Sequence, residues 1–196
     1  QFGNGTTTGN NIPTYQSQFI DIADMAAGEL STCSLSKLGA VQCFGNNGFG
    51  QLGDGTNANR LSPVTVSGLG SGVAGLASGS YHACAVTMAG GVKCWGSGSS
   101  GELGNGGLAN SNVPVDVIGV SGATRIADGD FHACALVAGG AVKCWGWNQF
   151  GQLGNGTNIN RALGAAVPGL SNAVQIAAGG DHSLALKQNG TVVFWG

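Results

Sequence analysis

Short apolar stretches, cut again and again by Gly and Asn, run through the whole chain. In one representative stretch, Val73 to Ala77 reads as a strand followed by Gly79, His82 to Thr87 as a second strand, and Gly91 to Trp95 as a third. Pro63 to Val66, in the stretch before, reads as a fourth strand at a sheet edge, because Pro has no N–H to give an interior ladder. No segment shows the 3.6-residue apolar period of an amphipathic helix. The pattern predicts an all-β chain of short antiparallel strands joined by Gly/Asn turns.

The pattern repeats. Gly50-Gln51-Leu52-Gly53 returns as Gly101-Glu102-Leu103-Gly104 and as Gly151-Gln152-Leu153-Gly154, and Gln1-Phe2-Gly3 is a cut fourth copy. An aromatic-Gly pair recurs as Phe44-Gly45, Trp95-Gly96, Trp145-Gly146 and Trp195-Gly196, with steps of 51, 50 and 50 residues. Such constant spacing marks a repeat architecture. We divide residues 1–196 into a single repeat domain with approximate units 1–45, 46–96, 97–146 and 147–196.

The six cysteines fall as Cys33/Cys43, Cys84/Cys94 and Cys134/Cys144, each pair ten residues apart within one unit. If Cys84 faces Cys94 across an antiparallel pair, Val86 faces Val92, Thr87 faces Gly91, and Met88-Ala89-Gly90 is a three-residue loop. The same register in the other units ends each loop at Gly39, Gly140 and Gly190. A common three-residue hairpin loop needs a left-handed third residue, which Gly supplies without a Cβ clash. Cys spacing and loop Gly therefore point to one register. In it, the paired Cα atoms lie roughly 4.5–5.5 Å apart, within reach of a disulfide. The fourth unit has Leu184 and Phe194 at these positions, a swap that suits packing and not metal binding. Zinc is the rival, through His82-x-Cys84 and His132-x-Cys134, but each unit offers at most two Cys and one His, and the first has Ser31 in the His position. Three intra-hairpin disulfides place the chain outside the reducing cytosol, in an extracellular, periplasmic or cell-surface setting.

Composition narrows the function. Gly is the standout at 38 residues and only 8% of residues are charged. The net charge is −2, and the seven cations are scattered, so no nucleic-acid partner is expected. No apolar run reaches 18 residues, so no membrane insertion is expected. The opening Gln1-Phe2-Gly3-Asn4-Gly5 lacks the basic and apolar regions of a leader, so an exported chain of this sequence would be a mature form or an internal piece. No phosphate-cradling loop, nucleophile elbow or paired-carboxylate site is visible, and neither a cofactor, a metal nor a catalytic residue is expected.

His82-Ala83-Cys84-Ala85-Val86, Gly91-Val92-Lys93-Cys94-Trp95-Gly96 and Gly151-Gln152-Leu153-Gly154-Asn155-Gly156 resemble the regulator-of-chromosome-condensation repeat. The resemblance implies a β-propeller in which each repeat contributes to one four-stranded blade, usually of seven. The paired cysteines resemble a bacterial, exported branch. Function is implied weakly, because such propellers serve as exchange factors for small GTPases, as protein inhibitors and as binding platforms. Four units depart from the usual seven. The chain also stops at Trp195-Gly196 and begins at a residue matching Gln152. A piece of a longer array, a small closed ring and a head-to-tail polymer all fit.

His82, His132 and His182 share one repeat position and read as structural, bonding a neighbouring blade or turn. Trp95, Trp145 and Trp195 read as seals between blades. Trp147 stands where other units have Asn46 and Ser97, and is a candidate contact residue. The loops Thr6 to Asn11, Thr56 to Arg60, Gly107 to Asn112 and Thr157 to Arg161, and the segment after each aromatic-Gly pair, are candidate contact segments, with Arg60 and Arg161 as charged contacts. Asn4, Asn155 and Asn189 match the N-glycosylation pattern, but Asn-Gly is also a turn dipeptide. Asp21/Asp24 and Asp128/Asp130 recur in no other unit and do not read as calcium sites. The expectation is a non-enzymatic, secreted or surface propeller that binds protein or builds an extracellular assembly, including a head-to-tail filament. The rival is an exchange factor for a small GTPase.

Overall fold

Fifteen strands, β1 to β15, carry the chain in a computed structural model that describes residues 3–9, 11–13 and 15–196. Gln1 and Phe2 of the cut tetrapeptide and Asn10 of the first contact loop lie outside the described residues. In order, the strands are β1 Ile22–Ala27, β2 Ser31–Ser36, β3 Val41–Gly45, β4 Arg60–Thr65, β5 Val73–Ser78, β6 His82–Thr87, β7 Val92–Gly96 and β8 Ser111–Asp116. They continue as β9 Ala123–Asp128, β10 His132–Val137, β11 Ala141–Gly146, β12 Arg161–Ala166, β13 Ala173–Ala178, β14 Ser183–Lys187 and β15 Val192–Trp195. There is no helix among the described residues. The sheets are β1-β2-β3-β4, β5-β6-β7-β8, β9-β10-β11-β12 and the three-stranded β13-β14-β15. Each four-stranded blade therefore draws its outer strand from beyond the aromatic-Gly pair.

The hairpin register follows from the loop. Cys84 pairs with Cys94 and Val86 with Val92, and the Thr87 amide donates to the Gly91 carbonyl. Gly90 closes the loop at φ +78°, in the left-handed region where a side chain would be strained. The cystines Cys33–Cys43, Cys84–Cys94 and Cys134–Cys144 each join β-neighbours whose Cα atoms are 4.1 Å apart. All six cysteines are buried. Leu184 pairs with Phe194 at the same place in the fourth sheet.

Blades are joined by one recurring lock. The Trp95 indole N–H donates to the Gln51 carbonyl at 3.0 Å, Trp145 to Glu102 at 2.8 Å and Trp195 to Gln152 at 2.8 Å. Each ring thus lies on the Gly-Gln/Glu-Leu-Gly turn of the preceding blade. Trp95 and Trp145 are fully buried, and so are Leu52, Leu103 and Leu153 of the three turns. The turn's last Gly is what admits the ring. Gly53 sits at φ +66°, and a Cβ there would come within 2.8 Å of Trp95 Cδ1. Gln51 holds the turn from inside, accepting the Phe49 amide and donating to Asn46 Oδ1.

A buried Asn shapes the loop that follows. Asn47 Oδ1 accepts the Leu52 amide, while its Nδ2 donates to the Thr56 and Ala58 carbonyls. Asn148 repeats this with Leu153, Thr157 and Ile159. The Asx-Gly-Thr segments are Asx turns. Asn4, Asp54, Asn155 and Asn189 each accept both the amide and the hydroxyl of the Thr two residues on.

The lock predicts a graded response to Ala. Gly53→Ala combines left-handed strain with overpacking against the indole and should lower unfolding stability by about 2–4 kcal/mol. Gly68→Ala, at φ +71° with open space around it, should cost only the backbone strain, about 1 kcal/mol. Urea denaturation of both variants checks this; equal losses would mean that the ring is not what the glycine accommodates.

Candidate binding face and inter-blade seams

The strands of each hairpin end on two opposite faces. One face carries the three-residue loops. The other carries the turns from first to second strand, at residues 28–30, 79–81, 129–131 and 179–181, together with the loops after each aromatic-Gly pair. On this second face five aromatic rings come into line. Phe49 and Tyr81 have ring centroids 5.0 Å apart, Tyr81 and Phe131 6.2 Å, Phe131 and Trp147 6.1 Å, and Trp147 and Phe150 5.3 Å. The last two contacts are edge-to-face, the arrangement favoured by the ring quadrupole. The row crosses three blades. Phe49 and Phe150 are exposed, at 42% and 59%, and the three middle rings are half-buried. Among these rings sequence reading named only Trp147, while its segments after the aromatic-Gly pairs took in Phe49 and Phe150 without singling them out. Phe49 and Phe150 share a repeat position filled by Ser100 in the unit between, and that interruption is the signal that could have marked them.

Beside the rings is a recess of about 510 Å³ lined by the turns of all four units, including Gly28, Glu29, Gly79, Gly129, Asp130 and Gly179. Successive turns are tied by backbone: the Ser80 amide donates to the Asp130 carbonyl and the Asp130 amide to that of Gly180, both at 3.2 Å. The Tyr81 phenol faces the Glu29 carboxylate, which holds its proton on and raises its pKa.

Beneath this face the shared His position meets a different partner in each seam. His82 Nε2 lies 3.8 Å from Asp128 Oδ2 of the next blade, and both side chains are wholly buried. Neither imidazole nitrogen and neither carboxylate oxygen meets a hydrogen-bond partner. His132 Nε2 lies 2.8 Å from Ser183 Oγ of the following blade. His182, with no later blade against it among the described residues, is exposed.

Two constellations here resemble reactive sites and are chemically spent. Ser183 Oγ donates its proton to the Gln152 carbonyl at 3.0 Å. His132 must then be the donor to that oxygen, so it cannot act as its base. His82, Cys84 and Asp128 bring ligand atoms within 4.8 Å of one another. Yet the Cys84 sulfur is bonded to Cys94, which leaves one nitrogen and one carboxylate where structural zinc takes four ligands.

The charged contact candidates divide. Arg60 is committed to its own loop: Nη2 lies 2.7 Å from Asp54 Oδ2, and Nε donates to the same oxygen. In the third blade Asn155 replaces that carboxylate, and Arg161 is exposed at the start of β12.

The His82–Asp128 seam makes stability depend on pH. Burial, with the repulsion of His132, pushes His82 from 6.5 down to about 3. Burial also pushes Asp128 well above 3.8, and the nearby Cys84 amide offsets only part of this. The His82 contribution is therefore complete above pH 6.5 and is lost as pH falls toward 3. That of Asp128 is complete below 3.8 and is lost as pH rises through its raised value. As pH rises from 3.8 the two act in opposite directions: the His82 contribution grows up to 6.5 while that of Asp128 is being lost. Asp128→Asn leaves the His82 contribution unopposed, so from about pH 4 to 6.5 its stability should rise with pH more steeply than that of the wild type, by up to about 1.4 kcal/mol per pH unit. Urea midpoints across that range measure it, and parallel curves for the two proteins would refute the assignment.

Comparison with known proteins agrees with the fold. The model described as "Regulator of chromosome condensation (RCC1) repeat" matches residues 39–86, 89–136 and 140–186, and a second model of the same description matches 22–51, 73–102 and 124–152. The RCC1 domain-containing protein RUG3, mitochondrial, of Arabidopsis thaliana is 34% identical over 99 residues, covering 50% of this chain and 22% of that protein. The human E3 ubiquitin-protein ligase HERC2 is 34% identical over 125 residues, covering 62% of this chain and 3% of that protein. The structure of human WBSCR16 superposes with a TM-score of 0.85 at 25% identity, over 100% of this chain and 55% of that one. Yeast RCC1 (Prp20), solved bound to Kap60, gives 0.79 at 24% identity over 94% and 45%. The chain thus spans about half the length of these solved structures, and less of the two sequence relatives. Its repeats, blades and inter-blade seams make it a member of the regulator of chromosome condensation (RCC1) repeat family.

Proposed function

We propose that this chain is an exported, non-enzymatic propeller module, with residues 1–196 acting as a single repeat domain that binds a protein partner through the aromatic face. The observation that carries the reading is the five-ring row from Phe49 to Phe150. Exposed aromatic rings gathered on one face cost solubility, and they recur where proteins meet proteins. The scaffold at the two ends of the row is stiff, because the turns that carry Phe49 and Phe150 are anchored by buried Asn and Gln side chains and by the Trp lock. The yeast relative solved with Kap60 is an instance of a propeller of this family engaging another protein.

Export rests on the cystines. Six cysteines, all bonded and all buried, suit a compartment where thiols oxidise. The catalytic alternatives find no support in the seams, where the Ser183 hydroxyl and the Cys84 sulfur are already committed.

Two measurements test this. The chain directed to an oxidising compartment should have an intact mass six hydrogens below its reduced form, two for each cystine; free thiols would remove the argument for export. A photo-crosslinking amino acid in place of Phe150 should capture a discrete protein partner from the extracellular fraction. The same group in place of Leu38, on the opposite face and 83% exposed, should not. Equal capture at both positions would discard the aromatic face. Accelerated nucleotide release from a small GTPase would instead favour the exchange-factor reading.

A further inference from the structure

The charges of this protein are unevenly committed. Three of its nine carboxylates have a cation beside them: Asp21 with Lys37, Asp54 with Arg60 and Asp116 with Lys93. Two more, Glu102 and Asp128, are buried side chains inside the fold. Of the remaining four, Asp24 lies on β1, facing the inner wall that Arg125 also lines. The other three, Glu29, Asp130 and Asp181, all fall on the turns of the aromatic face, and all are exposed. Glu29 and Asp130 line the recess there, and no Lys or Arg is among its lining residues. The remaining cations lie elsewhere: Lys143 donates to the Gly119 carbonyl, Lys187 lines cavities at the three-residue-loop end, and Arg161 begins β12.

The acidic groups and the rings interleave. Glu29 faces the Tyr81 phenol. Asp130 is the chain neighbour of Phe131, and its carboxylate lies over the Gly180 backbone of the next turn. Both carboxylates therefore act on the Tyr81 phenol, Glu29 by direct contact and Asp130 through its charge, and both border the open recess. A guanidinium or ammonium group fits that combination: the carboxylate takes the charge, and the ring face takes the flat or methylene part of the side chain. An acidic segment would meet uncompensated like charge. A purely apolar segment would bury carboxylates that have no counter-ion.

Resting on the binding reading above, we propose that the aromatic face takes an Arg- or Lys-bearing segment of its protein partner, with cationic side chains seated between the ring row and the Glu29/Asp130 recess. The partner segment is cationic and extended enough to pass over at least two adjacent turns. Specificity resides in where its cations fall, and the rings supply the contact area.

The test uses the oxidised full chain and three labelled twelve-residue Gly/Ser peptides carrying four Arg, four Glu or no charged residue. Fluorescence anisotropy should show the Arg peptide binding at least tenfold more tightly than the neutral one, with the Glu peptide weakest. Raising the salt should weaken the Arg complex. The double variant Glu29→Gln/Asp130→Asn alters only exposed side chains and should lose about tenfold for the Arg peptide. Asp116→Asn removes one negative charge at a distant strand and should change nothing. Loss of Arg binding on Phe150→Ser would tie the cations to the rings. If the Arg peptide binds no better than the neutral one, or if Asp116→Asn weakens it as much as the double variant does, the inference is overturned. Neutral binding that Phe150→Ser abolishes would overturn the cationic preference while leaving the face intact. Absence of crosslinking at position 150 would overturn the binding reading itself.

Discussion

One contact organises the array: an indole laid on the Gly-Gln/Glu-Leu-Gly turn of the blade before it. Each part of the turn has a task. The polar residue offers its backbone carbonyl to the ring N–H and folds its side chain back into its own loop. The Leu fills the seam, and the final Gly leaves the ring room. A buried aromatic of this size is worth about 3–5 kcal/mol when removed, far more than a single exposed ion pair. With so few charges on the chain, the seams and not the surface hold the blades in sequence.

The lock is uniform, and the polar chemistry next to it is not. At one shared position the blades carry Ser31, His82, His132 and His182. What each meets depends on the next blade: Asp128 for His82, and the Ser183 hydroxyl for His132. A repeat scaffold permits this because the frame of each seam is set by the backbone and the indole. The side chains beside it are free to diverge, one toward a hydrogen bond and one toward a desolvated carboxyl.

Much of the frame was readable from sequence, because two kinds of local signal agreed. Cysteines ten apart and a Gly three residues into each loop can satisfy only one hairpin register, and the paired strands have that register. The strand boundaries at His82–Thr87 were equally plain. The outer strand was harder, since Pro63 and its neighbours hydrogen-bond to residues before the aromatic-Gly pair, so that sheets run across the sequence repeat. Of the aromatic row only Trp147 was singled out; Phe49 and Phe150 fell in the contact segments after the aromatic-Gly pairs, and Tyr81 and Phe131 were not read. Phe49, Tyr81, Phe131 and Phe150 occupy two different repeat positions and meet only when blades stand side by side. Asp128 was weighed only as a calcium hint, and its place beside His82 was not read for a related reason: its counterparts are Ala27, Ser78 and Ala178, so nothing periodic marks it.

The lock also has a direction. Each of the three locking indoles reaches back to a turn that precedes it in the chain, and none of them reaches forward. As the polypeptide leaves the ribosome, each new hairpin therefore finds its landing place already built, and no earlier blade has to wait for a later one to lend it an aromatic. Assembly by accretion from the N-terminal side is written into the donor–acceptor polarity of three indole hydrogen bonds.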